Sequence, residues 1–185
     1  MGNWQLDPYH TQVEFSAKHL GMMTVRGNFT EVSTTADIDP DHPEAASVSA
    51  TIQTASIKTN NDVRDNDLRS SNFLDVDNYP TITFQSTGLE PAGNDQWTLH
   101  GDLTIKGDTH PVDLHVTKYG EFNDPGRMGH RIAYGAQTKI NRRHFGLSFN
   151  MLLDGRMVVS EEIHIQIEGE LVEQQAPEAA EASSG

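Results

Sequence analysis

The sequence predicts an all-β, antiparallel fold of about eight strands. Apolar and polar residues alternate with period two along most of the chain, which is the pattern of strands with one buried face. Turn residues separate these runs, as in Ala92-Gly93-Asn94-Asp95 and Asp124-Pro125-Gly126. Helical spacing is confined to one segment, 60–77. Because such strands must hide their edges, the alternatives are a sandwich and a closed barrel.

The alternating runs follow one another at short intervals. In the first, Val13, Phe15 and Ala17 share one face. Glycines at two apolar-phase positions, Gly27 and Gly101, favour a barrel, because glycine relieves curvature and leaves internal space. In chain order the runs are 13–17, 25–29, 48–54, 82–86, 97–105, 112–116, 132–138 and 159–167.

The helical segment, 60–77, has two candidate caps. Asn61 precedes Leu68 at a spacing that suits a first helix, and Ser70 precedes Phe73 in the same way. The sequence therefore predicts one or two short helices. We expect the acidic side chains of this segment to be solvated, namely Asp65, Asp67, Asp75 and Asp77.

Length and composition limit the organisation of the chain. Its 185 residues suffice for one domain with a sizeable core. We assign residues 1–172 to this barrel domain and 173–185 to a disordered acidic tail, since the tail has no large apolar side chain. No apolar run approaches the roughly 18 residues of a membrane-spanning helix, so we expect no stable membrane insertion.

Charge and cysteine content exclude several functions. The 13 basic and 27 acidic residues give a net charge of −14, which repels nucleic acid and anionic membrane surfaces. The absence of cysteine excludes disulfides, thiol nucleophiles and thiolate metal sites. The start of the chain has neither the basic nor the apolar part of a secretion signal, so we expect a cytoplasmic protein.

The nine histidines do not form a recognisable metal or catalytic motif, and we predict neither a metal nor a cofactor. His100, His115 and His164 fall on the polar phase of their strands and should lie at the surface. His19 continues the apolar phase of the first run, and its simplest interpretation is a core histidine at the mouth of the barrel. His10 precedes that run.

Large, adaptable apolar side chains are predicted to point inward. They indicate either a filled core or a ligand cavity, since methionine adapts to irregular apolar shapes. Basic residues, which are scarce, form two clusters, Arg64 with Arg69 and Arg142-Arg143, whose simplest interpretation is local charge balance. The predicted inward side chains are Phe15, Phe29, Phe84, Phe149, Met22, Met23, Met151 and Met157.

Five sequence blocks occur in order from about Trp4 to Glu170. The first two are Trp4-x-Leu6-Asp7-x-x-His10-x-x-Val13-x-Phe15-x-x-x-His19-Leu20-Gly21 with Val25-x-Gly27-x-Phe29, and Ile57-Lys58-Thr59 leading to Arg64-Asp65-x-x-Leu68-x-Ser70-x-x-Phe73. The others are Tyr79-Pro80-x-Ile82-x-Phe84-x-Ser86, Gly101-x-Leu103-Thr104-Ile105-Lys106-Gly107 and Ile140-Asn141-Arg142-x-x-Phe145-Gly146-Leu147. Together they resemble the YceI family of lipocalin-like proteins. Where this family often carries histidine, the chain has Asp67.

The resemblance implies an eight-stranded antiparallel lipocalin-like β-barrel. It also implies a ligand, a long polyisoprenoid chain such as a quinone tail or a polyprenyl lipid. By the same resemblance, the residues that face the ligand would be Phe15, His19, Phe29, Phe84 and Phe149, and the polar residues near the entrance would be His10, Arg64 and Arg143.

Two main hypotheses follow. The first is a lipid-binding protein that transports, stores or sequesters a polyisoprenoid or similar amphiphile without catalysis. The second is an enzyme on the same barrel, with His10 or His19 as general base and a carboxylate such as Asp7 orienting it. A role as a haem or redox partner is a third, weaker hypothesis. Exposed edges of an incompletely closed barrel would also allow a homodimer.

Overall fold

A computed structural model describes residues 2–38 and 42–174 of the chain. Its strands are β1 (Gly2–His19), β2 (Met23–Phe29), β3 (Val32–Ile38), β4 (Ser47–Gln53), β5 (Ile57–Lys58), β6 (Thr81–Gly93), β7 (Gln96–Ile105), β8 (Asp108–Asp124), β9 (Gly129–Asn141), β10 (Leu152–Leu153), β11 (Arg156–Met157) and β12 (Glu162–Glu173). Among these residues one α-helix, α1, spans Asp62–Arg69. Short 3₁₀ helices cover Pro43–Ala45, Thr54–Ser56 and Arg142–Phe145. The predicted tail lies outside the described residues, apart from Glu173 and Gln174.

Eight antiparallel strands close into a ring. The order is β1, β3, β4, β6, β7, β8, β9 and β12, and β12 pairs with β1 to complete it. This confirms the predicted eight-stranded antiparallel barrel and excludes the sandwich. Short β2 and β5 are added beside the second half of β1.

β1 changes its partner along its length. Its first residues pair with β3, whereas the part from Val13 to His19 pairs with β2, and β12 accompanies both halves. The register with β12 shifts between Leu6 and Thr11, because the intervening residues form a bulge. This bulge bends β1 and carries Asp7 and His10.

Two features of the strand prediction need correction. The ring contains β3, which the alternating runs did not include, whereas the run 25–29 is β2, outside the ring. β3 was missed because its inward positions include Thr34 and the small Ala36, which weaken the apolar alternation.

Two buried clusters occupy the two ends of the barrel. We call them the Trp4 end, with Trp4, Ala36, Ile132 and Leu171, and the α1 end. The α1 end contains Ile57, Leu74, Ile82, Leu103, Ile105, Ile140 and Phe145, and helix α1 lies beside it through Leu68.

Helix α1 begins at the predicted cap. The side chain of Asn61 accepts a hydrogen bond from the Arg64 backbone N–H at 3.0 Å.

The second predicted helix does not form, because the chain turns after Ser70 and Asp75 takes a left-handed conformation with φ of 51°. The prediction that Asp65 is solvated is also wrong: it is buried and accepts hydrogen bonds from both the backbone N–H and the hydroxyl of Thr59.

The two glycines of the inward phase lie beneath aromatic rings. A Cβ at Gly27 would overlap the Phe15 ring and come within 2.8 Å of the Lys58 carbonyl oxygen. At Gly101 it would overlap the Phe84 ring and lie 2.7 Å from the Gln85 carbonyl oxygen. These glycines therefore make room for the rings on the interior wall.

Replacing Gly101 should test this packing. We expect Gly101→Ala to lower the free energy of unfolding by about 1–3 kcal/mol, because both a buried ring and a backbone carbonyl would have to move. Gly135→Ala is the matched control on β9. Its Cβ would also overlap an aromatic ring, that of Tyr119, but this side chain is exposed and can move into solvent, so stability should change by less than about 0.5 kcal/mol. Urea unfolding measures both, and equal losses would contradict the interpretation.

Candidate functional site: an apolar cavity inside the barrel

An elongated cavity of about 380 Å³ runs inside the barrel from one end to the other. Leu6, Trp97 and Leu171 line it towards the Trp4 end, and Phe73 and Leu147 line it towards the α1 end. Its wall is the inward phase of the ring strands and is almost wholly apolar. The volume falls in the range of small-molecule sites, about 300–1,000 Å³. The interior is thus not filled from end to end by side chains.

Three of the predicted ligand-facing aromatics line this cavity. They are Phe15, Phe29 and Phe84, and the ring centroids of Phe15 and Phe29 are 5.7 Å apart. Phe149 does not line it. The residue is 37% exposed, and its ring stands edge-on against that of Phe73, which does line the cavity.

His19 lies outside the barrel interior, and its interpretation as a core histidine is wrong. The side chain is exposed because this last residue of β1 reaches the turn to β2, beyond the lined part of the cavity. His19 does follow the inward alternation of β1, but alternation along a strand does not show where the barrel ends. The methionines predicted to point inward are also exposed, namely Met22, Met23, Met151 and Met157.

These exposed side chains form an apolar rim at the α1 end. We define the rim as Met22, Met23, Met151, Leu152, Leu153 and Met157. A bridge between His19 and Val159 joins the first turn to the segment that follows the β10–β11 hairpin, and Val159 itself lines the cavity. Exposed apolar groups of this kind commonly mark contact with a ligand or another apolar surface.

The three polar residues predicted near an entrance are not brought together. Arg64 donates to the Thr59 hydroxyl at 2.7 Å and to the Thr59 carbonyl, which ties α1 to the residue after β5. Arg143 is exposed and pairs with Glu161 at 2.9 Å. His10 belongs to the opposite end, near Glu170 and Arg131. None of the three lines the cavity.

Asp67 has a local structural role. Its carboxylate accepts a hydrogen bond from the Asn72 side chain at 3.1 Å, and its carbonyl accepts one from the Ser70 hydroxyl at 2.7 Å. These bonds hold the turn that follows α1, on the outside of the cavity wall.

The cavity wall contains a cation, Arg142, whose simplest interpretation from the sequence is local charge balance. Arg142 lines the α1 end of the cavity and is only 3% exposed. Its Nε donates to the Ser160 carbonyl at 2.9 Å, and its Nη1 donates to the carbonyls of Leu147 and Phe149. Burial lowers the pKa of this guanidinium. The sequence does contain a signal for this inward position, because Arg142 continues the alternation of the inward residues Tyr134, Ala136, Thr138 and Ile140.

A second polar group lies in the wall at the other end. Tyr134 lines the cavity near Trp97, with ring centroids 6.4 Å apart, and burial raises the pKa of its hydroxyl. The cavity therefore has a phenol near the Trp4 end and a guanidinium at the α1 end, with apolar wall between them.

The bulge in β1 forms a charged cluster outside the cavity. Arg131 Nη1 donates to Asp7 Oδ2 at 2.5 Å and to Glu170 Oε2 at 2.9 Å. His10 Nδ1 lies 3.0 Å from Asp7 Oδ2. Hydrogen bonds from Arg131 and His10 hold the pKa of Asp7 well below its usual range, and the carboxylates in turn raise the pKa of Arg131.

This cluster bears on both metal binding and catalysis. Ligand atoms of Asp7, His10 and Glu170 lie within 4.8 Å of one another, but the Arg131 guanidinium already contacts both carboxylates and would have to leave before a metal ion could bind. The predicted pairing of His10 with Asp7 is present. However, the imidazole is 57% exposed and does not line the cavity, so the pair cannot reach a ligand held inside.

A closed eight-stranded antiparallel barrel with an apolar interior cavity defines the lipocalin-like class of β-barrel. Within that class, the YceI-like domain model matches residues 4–171, and the chain belongs to this family. Protein YceI of Shigella flexneri is 37% identical over 142 residues, which cover 77% of this chain and 73% of the relative. None of the described helices is long and apolar enough to cross a membrane.

Two solved structures show the same fold. Burkholderia cenocepacia BcnA superposes with a TM-score of 0.79 and 23% identity, covering 89% of this chain and 98% of BcnA. A domain of Saccharophagus degradans, described as a polyisoprenoid binding domain, superposes with a TM-score of 0.69 and 15% identity. That match covers 94% of this chain and 100% of the domain.

The Asp7–Arg131 pair should stabilise the bulge. We expect Asp7→Asn to lower the free energy of unfolding at pH 7 by about 3 kcal/mol, because it leaves a partly buried guanidinium with one carboxylate fewer. The folded pKa of Asp7 lies below its unfolded value near 3.8, so this stabilisation is complete above that value and is lost as the pH falls below it. Urea unfolding from pH 7 down to pH 2 measures the difference.

Glu14→Gln, an exposed carboxylate on the same strand, is the control and should have little effect at any pH. A gap between wild type and Asp7→Asn that stays constant down to pH 2 would show that the effect is not electrostatic.

Proposed function

We propose that this protein binds one long-chain apolar amphiphile, of the polyisoprenoid class, inside the barrel. The observation that carries the proposal is the elongated cavity of about 380 Å³ with its apolar wall. The Saccharophagus degradans domain with the same fold, described as binding polyisoprenoid, supports this choice of ligand class.

The energetics favour a chain as the ligand. Each buried methylene contributes about 0.8 kcal/mol, so ten of them supply on the order of 8 kcal/mol. Two costs offset part of this gain: the ligand's hydrocarbon chain becomes ordered, and the ligand loses translational and rotational freedom when it binds. A wall that extends between the two ends suits an extended chain better than a compact molecule, so length and shape would determine selectivity.

The apolar rim supports exchange of the ligand at the α1 end. Its methionine and leucine side chains are exposed beside the part of the wall formed by Phe73 and Val159. An amphiphile that leaves a membrane or another carrier would meet this rim first. Transport, storage and sequestration of an isoprenoid quinone or a polyprenyl lipid would all use this arrangement.

Mass spectrometry of an organic extract of freshly purified protein tests the proposal. We expect about one isoprenoid or related long-chain amphiphile per protein. Ala136→Phe should abolish its retention, because position 136 lies in the cavity wall and the added ring would occupy the space of the chain. Gln137→Phe is the matched control, since the next residue of β9 is exposed on the outer face.

Thermal unfolding of both variants shows whether they remain folded. If the wild-type extract contains no lipid and the protein does not bind added geranylgeraniol either, the proposed function is wrong. Equal retention by wild type and a folded Ala136→Phe variant would place the ligand outside the cavity.

A further inference from the structure

Arg142 is a buried cation in the wall of an apolar cavity. We propose that its guanidinium binds the head group of the ligand, and that this head group carries anionic oxygen, as a phosphate or a carboxylate does. The inference rests on the proposed function and extends it, because it assigns the polar end of the ligand to the α1 end of the barrel.

The hydrogen bonds of Arg142 leave part of the guanidinium available. Arginine has five N–H donors. The Nε–H and the Nη1 group are used by the carbonyls of Ser160, Leu147 and Phe149. In the described part of the chain, Nη2 donates to no acceptor, although the residue is 97% buried and lines the cavity. A ligand oxygen at this end would accept from Nη2.

The charge of Arg142 is also without a direct partner. Within residues 2–38 and 42–174 no carboxylate lies within 4 Å of its guanidinium. The neighbouring carboxylate, Glu161, is instead engaged by Arg143 at 2.9 Å. Glu161 therefore acts on the charge of Arg142 only from beyond contact distance. A buried charge without a direct ion pair is costly, so an anionic group gains more here than a neutral one. Guanidinium groups also match phosphate and carboxylate oxygens in geometry.

The net charge of −14 does not prevent this interaction. Surface charges are screened beyond about 8–10 Å at physiological ionic strength. A head group at hydrogen-bond distance from Arg142 inside the barrel is screened much less. Its electrostatic interaction with the protein is therefore determined mainly by this nearest cation. The ligand's chain would then extend from Arg142 towards Tyr134 and the Trp4 end, along the apolar wall.

Ligands that share one chain but differ in the head group test the inference. Delipidated protein is titrated with geranylgeranyl phosphate, geranylgeranoic acid and geranylgeraniol, each below its micelle concentration, and binding is measured by displacement of a fluorescent apolar probe. We expect wild type to bind the phosphate, the acid or both at least tenfold more tightly than the alcohol. Arg142→Gln should remove this preference and leave the affinity for the alcohol within about twofold.

Arg143→Gln is the control, because its side chain is exposed and does not line the cavity, and it should retain the wild-type preference. Arg142 also donates hydrogen bonds to three backbone carbonyls, so Arg142→Gln can fail to fold. In that case the comparison of the three ligands on the wild-type protein still tests the preference for an anionic head group. Equal binding of all three by wild type would overturn the head-group inference while supporting the proposed function. If none of the three binds, the proposed function fails and the inference fails with it.

Discussion

Pairing of the first and last ring strands is the interaction on which this structure depends. β1 and β12 lie far apart in sequence, and their hydrogen bonds close the ring and satisfy both edges. Closure also encloses the cavity, because the inward side chains of every ring strand then face one another. β1 can meet both β3 and β2 only because the bulge between Leu6 and Thr11 bends it.

The two ends of the barrel hold their charged groups differently, and the bulge positions one of these groups. At the Trp4 end, Asp7, Glu170 and Arg131 neutralise one another on the outside of the barrel. At the α1 end, Arg142 is turned inward; among the described residues its guanidinium donates hydrogen bonds only to backbone carbonyls, and Glu161 acts on its charge from beyond contact distance. The first arrangement stabilises the fold, whereas the second provides a polar group that a ligand can use. Charge inside the barrel is therefore concentrated at one end.

Much of the site could be predicted from alternation, and its failures have clear causes. Phe15, Phe29 and Phe84 line the cavity because each lies on the inward phase of a regular strand. The same rule misplaced His19 and Met23, since these are the terminal residues of β1 and β2, next to the turn that joins the two strands and beyond the lined part of the cavity. Arg142 also satisfies the rule, but its simplest interpretation from the sequence is local charge balance, and the family resemblance implies Arg143 near the ligand instead.

The sequence by itself determined the antiparallel class, the short helix with its Asn61 cap and the phase of most wall residues. These properties depend on residues close together in the chain, for which periodicity and local hydrogen bonding are sufficient. Only the tertiary structure decided that β3 enters the ring and β2 stays outside it, that His10 and Arg64 belong to opposite ends, and that Arg142 enters the cavity. The physical reason is that strand partners and the ends of a barrel are set by register and closure between distant segments, which alternation within one strand does not record.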